Sequence, residues 1–129
     1  MPGFTTGTSW LPIADDYQTV NVSLAQSQPT SILTLYHRLI ELRRAEPALS
    51  VGDFAPLAGD DDLMAYIRKT DERRLLVVLN LGPKPKSFSI SDLQCRGSLL
   101  LSTYLDRSRE VLEDKLALRP DEGAIIELL

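Results

Sequence analysis

Apolar residues recur at spacings of three and four through "PTSILTLYHRLIELRRAE", residues 29–46. This spacing predicts an amphipathic α-helix whose apolar stripe covers about half of the circumference at ~100° per residue. Pro29 suits the first helical position, Ser27 or Gln28 would cap the helix, and Pro47 disfavours its continuation. Such a broad stripe predicts a large packing partner. The stripe is formed by Ile32, Leu35, Tyr36, Leu39 and Leu42, and Leu33 and Ile40 widen it on one side.

From residue 50 onward the pattern changes to short apolar runs separated by turn sequences such as "AGDDD", "TDER" and "GPKP". "YIRKTDERRLLVV" predicts a hairpin, and the continuous run "LLVVLNL" is consistent with a central strand covered on both faces. We therefore predict a mainly β protein, with an antiparallel β-sandwich over 48–129. One long amphipathic helix over 29–47 and an N-terminal loop segment over 1–28 precede it. The runs are "VGDFAPL", "LMAYIRK", "RLLVVLNL", "KSFSI", "SLLLSTY", "KLALRP" and "GAIIELL".

The loop segment shows neither helical nor strand periodicity, although it contains Trp10 and Tyr17. Long loops of this kind are uncommon in compact domains unless they serve a site. Exposed aromatic rings are also the surfaces on which sugars stack, so these two residues are candidate sugar contacts.

Composition excludes several classes of function. The 129 residues are 43% hydrophobic and 25% charged, which is ordinary for a globular domain. A net charge of -4 argues against nucleic-acid binding, which needs clustered Lys and Arg. The chain shows neither a secretory signal nor an apolar run approaching the ~20 residues that span a bilayer. We expect no membrane segment and a cytoplasmic location, and Cys95 is expected to be a structural or surface thiol.

Candidate catalytic chemistry is sparse. A glycosidase needs two carboxyls roughly 5–9.5 Å apart, whereas the acidic clusters, at 15–16 and 60–62, consist of sequence neighbours that point to opposite faces of an extended chain. "GDDD" lacks the spacing of a calcium loop. His37, the only histidine, lies on the polar flank of the helix. The sequence therefore predicts no catalytic residue, no cofactor and no metal site in this chain.

Specific combinations of residues nevertheless resemble a known family. "GFTTGTSWLPIADDYQTVNVSLAQSQPTSILTLYHRLIELRRAEPALSVGDF" contains a Gly-Phe-x-x-Gly turn, Trp-Leu-Pro, Asn-Val, Leu-Tyr-x-x-Leu-Ile-x-Leu-Arg and Pro-Ala-Leu. In this combination it resembles α-glucosidases and oligo-1,6-glucosidases of the α-amylase family of glycoside hydrolases, from the last barrel loop into the C-terminal domain. "LMAYIRKTDERRLLVVLNL" and "LALRPDEGAIIELL" are similar to that family's C-terminal β-sandwich.

The resemblance implies a division of the chain into three parts. Residues 1–28 correspond to the tail of the last barrel loop, 29–47 to the eighth barrel helix and 48–129 to the C-terminal domain. In this family the catalytic Asp, Glu and Asp follow the fourth, fifth and seventh strands of a (β/α)8 barrel. All three precede Gly3, so none can be assigned to a position of this chain, which is expected to be inactive alone.

The function implied is that of a non-catalytic C-terminal region, packed on and stabilising the barrel of an enzyme that hydrolyses α-glucosidic bonds in small oligosaccharides. The resemblance favours an α-glucosidase over relatives that isomerise trehalose or sucrose. Arg43 falls within the apolar stripe, where snorkelling and pairing with a barrel carboxylate both remain open. An isolated chain is expected to fold the helix back onto the sandwich or to dimerise through it.

Two other functions remain open. The chain could be a freestanding carbohydrate-binding or protein-interaction module, with Trp10 and Tyr17 as the aromatic contacts. It could also derive from family members that have lost catalysis and serve as partner subunits of membrane transporters.

Overall fold

A computed structural model describes residues 6–129. The predicted Gly-Phe-x-x-Gly turn begins at Gly3, outside the described residues. Three helices come first, and the part of the chain that follows is built of strands joined by turns and one short 3-10 helix. The helices are α1 (Val22–Ser27), α2 (Ile32–Ala45) and α3 (Pro47–Ser50). The strands are β1 (Asp53–Asp60), β2 (Leu63–Lys69), β3 (Arg74–Asn80), β4 (Lys86–Ser89), β5 (Gly97–Ser102), β6 (Val111–Leu112), β7 (Lys115–Leu118) and β8 (Gly123–Leu128).

The strands form two antiparallel sheets. Six strands pair in the order β1-β2-β3-β8-β5-β6, and β4 pairs with β7 in a second sheet. The predicted hairpin is confirmed: β2 and β3 pair from Leu63↔Asn80 to Lys69↔Arg74, and Thr70 donates its N–H to the carbonyl of Arg73 at 2.9 Å. The predicted fold class, an antiparallel β-sandwich preceded by an amphipathic helix, is confirmed.

The hydrophobic core lies between the two sheets. From β3, Leu76 and Val78 enter it, while Leu75 and Val77 point to the opposite face of the same strand. All four are buried, which confirms that β3 is a central strand covered on both faces. The core consists of Ala65, Leu76, Val78, Phe88, Ile90, Leu99, Leu112, Leu116, Leu118, Ala124, Ile126 and Leu128.

The long helix ends where the sequence predicts and begins later. Its last residue is Ala45, before the Pro47 that starts α3. Its N-cap is Ser31, whose Oγ accepts from the Thr34 N–H at 3.1 Å, so the predicted caps Ser27 and Gln28 are wrong. Ser27 is instead the last residue of α1.

The short helix α1 lies inside the stretch that was predicted to be loop. Asn21 caps it, since the Asn21 side chain accepts from the Leu24 N–H at 2.9 Å. Six residues are too few to display a helical period, and an Asn cap is the signal that could have located this helix.

The helices are fastened to the six-stranded sheet at one junction. Glu46, which caps both α2 and α3, pairs with Arg73 at 2.8 Å, and Arg73 pairs with Glu127 of β8 at 2.6 Å. The backbone approaches closely here, because a Cβ on Gly52 would lie 2.5 Å from the Ala48 carbonyl oxygen. The junction places α2 beside the sheet face that points away from the core.

Candidate docking surface

Several carboxylates of the described residues are held by cationic or hydroxyl side chains. Glu122 is fully buried at the start of β8; its carboxylate accepts from Ser102 Oγ at 2.5 Å and from Arg119 Nε at 3.0 Å and Nη2 at 2.8 Å. Burial alone would raise the pKa of Glu122, but the hydrogen bonds from Arg119 and Ser102 outweigh it and lower the pKa to about 2. A carboxylate held in this way stays ionised near neutral pH and cannot act as a general acid.

Arg119 extends this network to the surface. Its guanidinium donates to both carboxylate oxygens of Asp106, at 2.6 and 2.8 Å, and lies 4.0 Å from the centre of the Tyr104 ring. Hydrogen bonds to Asp106 and then Glu122 raise the pKa of Arg119, while its side chain lowers the pKa of Asp106. These interactions tie the loop after β5 to the turn between β7 and β8.

The predicted acidic cluster at residues 60–62 lies at the turn between β1 and β2. Lys86 donates to both carboxylate oxygens of Asp60, at 3.0 and 2.9 Å, and this contact lowers the pKa of Asp60. Within residues 6–129, no three His, Cys, Asp or Glu side chains are placed to hold a metal ion. His37 is exposed and Cys95 is half-buried and unpaired.

Helix α2 leaves several apolar side chains exposed. Ile32 is 76% exposed and Tyr36 is 61% exposed, and Ile40 on the next turn is also exposed. These three residues, spaced by four, form one line along the helix; we call them the α2 stripe. The remaining predicted stripe residues, Leu35, Leu39 and Leu42, are half-buried.

A groove of about 380 Å³ lies between α2, α3 and the outer face of the six-stranded sheet. We call it the outer groove. One row of paired residues crosses four strands on this face: Tyr66 of β2, Val77 of β3, Ile125 of β8 and Leu101 of β5. Side chains from the helices and two arginines also line it, namely Leu39, Leu49, Arg43 and Arg68.

The sequence pattern located the helix part of this surface but not the sheet part. Leu101 reaches the outer groove because a bulge between Leu99 and Leu101 shifts the register of β5 against β8, so that Leu99 faces the core. Strict alternation would have put both side chains on one face. The alternation of β2 and β3 was the signal that could have indicated Tyr66 and Val77.

The two candidate sugar contacts lie outside this surface. Trp10 is 90% exposed, in the segment before α1, and Tyr17 is half-buried. Residues 8–14 line a shallow cavity of about 490 Å³ that includes Trp10 and not Tyr17. Elsewhere, the rings of Phe54 and Tyr66 are in contact, with their centroids 5.1 Å apart.

Comparison with protein families divides the chain near the junction of α3 and β1. Residues 1–52 match the catalytic domain of α-amylase, and residues 63–122 match the C-terminal domain of the α-amylase SusG. The first match contains all three helices, and the second contains most of the strands.

Curated relatives cover almost the whole chain. It is 35% identical over 98% of its length to glucan 1,6-alpha-glucosidase of Streptococcus pneumoniae and 31% identical over 98% to oligo-1,6-glucosidase of Parageobacillus thermoglucosidasius. The amino acid transporter heavy chain SLC3A1 of Rattus norvegicus is 36% identical over 97% of the chain. The chain spans 23% of the length of the two glucosidases and 20% of the length of the transporter subunit.

Solved structures show the same arrangement of helices and strands. Trehalulose synthase MutB of Pseudomonas mesoacidophila superposes with a TM-score of 0.85 at 29% identity, over 98% of this chain and 23% of that one. Isomaltulose synthase PalI of Klebsiella superposes with a TM-score of 0.86 at 26% identity, again over 98% of this chain and 23% of that one. No helix within residues 6–129 has the length and apolar character needed to cross a membrane.

Proposed function

Because the chain belongs to the α-amylase family, we propose that it is the non-catalytic C-terminal region of an α-glucosidase-like glycoside hydrolase. Its role is structural: it packs on the catalytic barrel and stabilises it. Residues 1–28 form the tail of the last barrel loop, 29–47 the eighth barrel helix and 48–129 the C-terminal domain. The enzyme containing it hydrolyses α-glucosidic bonds in small oligosaccharides, in the cytoplasm.

The observation that carries this proposal is the exposure of the α2 stripe within the catalytic-domain match. Soluble proteins rarely leave a contiguous apolar surface to water without a partner for it. Fully burying one Ile or Leu side chain is worth about 1.5–3 kcal/mol. Contact through Ile32, Tyr36 and Ile40, with Leu35, Leu39 and Leu42 beside them, would contribute several kcal/mol to holding barrel and sandwich together.

The assignment of hydrolysis rests on the curated relatives, whose names include two glucosidases, whereas the two solved structures are sugar-isomerising synthases. The carboxylates described above favour a non-catalytic role for this chain. Glu122, Asp106 and Asp60 are each bound to a cationic side chain. We therefore place the reacting groups in residues outside this chain.

A chimera tests the structural role. The part of the pneumococcal glucosidase that precedes the matched region is joined to this chain, and thermal unfolding and glucosidase activity are measured. We expect one cooperative transition and activity. Tyr36→Glu places a charge in the α2 stripe and should lower the midpoint and separate the two domains into two transitions, because a charge buried without a partner is costly.

His37→Glu is the matched control, since it introduces the same residue at the next position, on the polar flank of α2. It should leave the transition unchanged. Two independent transitions in the unmutated chimera, or equal effects of the two variants, would refute the docking role.

The exposure of Trp10 favours a second candidate function, a carbohydrate-binding module. A sugar ring stacking on this indole would change its fluorescence, and Trp10 is the only tryptophan in the chain. Titration of the chain with maltose or isomaltose to about 10 mM, which corresponds to weak binding near -3 kcal/mol, tests it. An unchanged emission spectrum would rule this function out.

A further inference from the structure

We propose that the outer groove recognises an apolar segment of the catalytic domain that carries a carboxylate, with Arg43 and Arg68 as the two cationic contacts. This inference rests on the proposed docking of a catalytic barrel and specifies the chemistry of the partner. The two arginines come from different elements, α2 and β2, and line the same groove.

Neither of these two arginines takes part in an ion pair within the described residues. Its pairs involve Arg73, Arg96, Arg107, Arg119 and Lys86, although the sequence has 18 acidic residues against 14 basic ones. Arg43 and Arg68 line one groove, and no carboxylate of residues 6–129 forms an ion pair with either of them. An incoming carboxylate would gain charge-assisted hydrogen bonds from them.

The backbone around both arginines is held in place. Arg68 Nε donates to the Ala48 carbonyl at 3.1 Å, which fixes the plane of its guanidinium against α3. The carbonyl of Arg43 accepts from Ser50 Oγ at 2.8 Å, which ties the last turn of α2 to the same short helix. Each guanidinium has five N–H donors, so enough remain for a forked contact with a carboxylate.

The occupant is a segment of the catalytic domain because the groove lies at the border of that domain's match. Helix α2 belongs to residues 1–52, which match the catalytic domain, and it forms one wall of the groove. A second copy of the chain fits less well. Inserted into the groove, its own α2 would bring Arg38, Arg43 and Arg44 towards the same cations, and like charges in contact oppose that arrangement.

The chimera with the pneumococcal catalytic part also tests this inference, using Arg43→Glu and Arg43→Gln with Arg44→Glu as the matched control. Arg43 and Arg44 are both exposed neighbours on α2, and only Arg43 lines the groove. Thermal unfolding is recorded at about 0.02 M and about 0.5 M NaCl, since salt screens exposed charges. Arg43→Glu should lower the midpoint by several degrees and Arg44→Glu should leave it within error.

The change of the unfolding midpoint with salt concentration should distinguish the loss of a charge contact from the loss of packing. The unmutated chimera should lose stability between the low and the high salt concentration, and Arg43→Gln should reduce that loss. Arg68→Gln should act in the same direction, whereas Arg74→Gln, at an exposed position one strand away, should not.

The outcomes distinguish this inference from the proposed function. If Tyr36→Glu lowers the midpoint and Arg43→Glu changes it no more than Arg44→Glu does, the docking role is supported and the carboxylate contact is refuted. If Tyr36→Glu also has no effect, both are refuted. A salt-sensitive dimer of the isolated chain that Arg43→Glu dissociates would identify a second copy as the occupant and overturn the inference.

Discussion

At the scale of single residues, Glu122 joins more parts of the molecule than any other side chain described above. Its carboxylate links β8 to Ser102 at the end of β5 and to the backbone N–H of Arg119, at 2.5 and 2.8 Å. Arg107 Nη1 approaches Oε1, the oxygen that Ser102 contacts, at 3.5 Å. Taking a charge out of water costs several kcal/mol, so this geometry is stable only while every partner is present.

Replacing this carboxylate should therefore be strongly destabilising. We expect Glu122→Gln to lower the free energy of unfolding by about 3 kcal/mol, because it leaves the Arg119 guanidinium without its buried counter-charge. Urea unfolding of the chain measures the loss. Asp106→Asn is the control, since it removes the exposed partner of the same arginine and should cost at most about 1 kcal/mol. Similar losses in the two variants would contradict the assignment of the buried pair as the dominant contact.

The same residue predicts an acid-sensitive stability. The pKa of Glu122 is about 2 in the folded chain, below its ordinary value of 4.5, so the unfolded chain binds the proton more tightly. Its stabilising effect is present above about pH 5 and is lost as the pH falls towards 2, by about 3 kcal/mol in all. Unfolding free energies measured from pH 6 to pH 2.5 should show this slope. Glu122→Gln should flatten the slope, and an unchanged slope in that variant would assign it to other groups.

At the scale of elements, the start of α2 was hard to predict because several nearby residues can act as a helix N-cap. Asn21, Ser27 and Ser31 are all residue types that cap helices well, so local propensity could not choose among them. In the structure Ser31 is the N-cap of α2, and its Oγ also donates to the Ala25 carbonyl of α1 at 2.6 Å. This contact between two helices is not contained in the local sequence pattern. The end of α2 was predictable because Pro47 constrains the chain by itself.

A pair of serine variants tests this choice of cap. Ser31→Ala should lower the local stability of the first turn of α2 by about 1 kcal/mol, which makes the Thr34 amide exchange its hydrogen about fivefold faster. Ser27→Ala should leave that rate unchanged, because Ser27 Oγ contacts only the Leu24 carbonyl of its own helix, at 2.8 Å. Faster exchange in Ser27→Ala than in Ser31→Ala would restore the cap predicted from sequence.

The strands illustrate the same limit. A run long enough to show alternation could be located from sequence. The run "LMAYIRK" has the same bounds as β2, Leu63–Lys69. The two-residue strand β6 (Val111–Leu112) was missed because two positions cannot display a period. The bulge in β5 was missed because an extra residue changes the register without changing the hydrophobic pattern.

At the scale of the whole molecule, the α2 stripe and the outer groove differed in how far sequence could predict them. The α2 stripe followed from helical spacing alone, because every residue in it belongs to one element. To predict the outer groove, one must know how four strands pair and where α3 lies. These long-range contacts are not encoded in any local sequence pattern. Arg43 shows the difference clearly: it was recognisable as out of place in an apolar stripe, but only the groove supplies a reason.

The exposed α2 stripe predicts how the chain behaves without a barrel. Ile32, Tyr36 and Ile40 are exposed to water, which favours association. We therefore expect the isolated chain to form a dimer through this stripe, with a dissociation constant of about 1 μM, which corresponds to a binding free energy near -8 kcal/mol. Sedimentation equilibrium should show that the double variant Ile32→Gln and Ile40→Gln is monomeric, because both changes remove apolar surface while keeping good helix formers. The double variant His37→Gln and Glu41→Gln, on the polar face, should remain dimeric. A monomeric unmutated chain that trypsin cuts readily within α2 would mean that the stripe neither pairs nor packs, and that the helix depends on the barrel to stay folded.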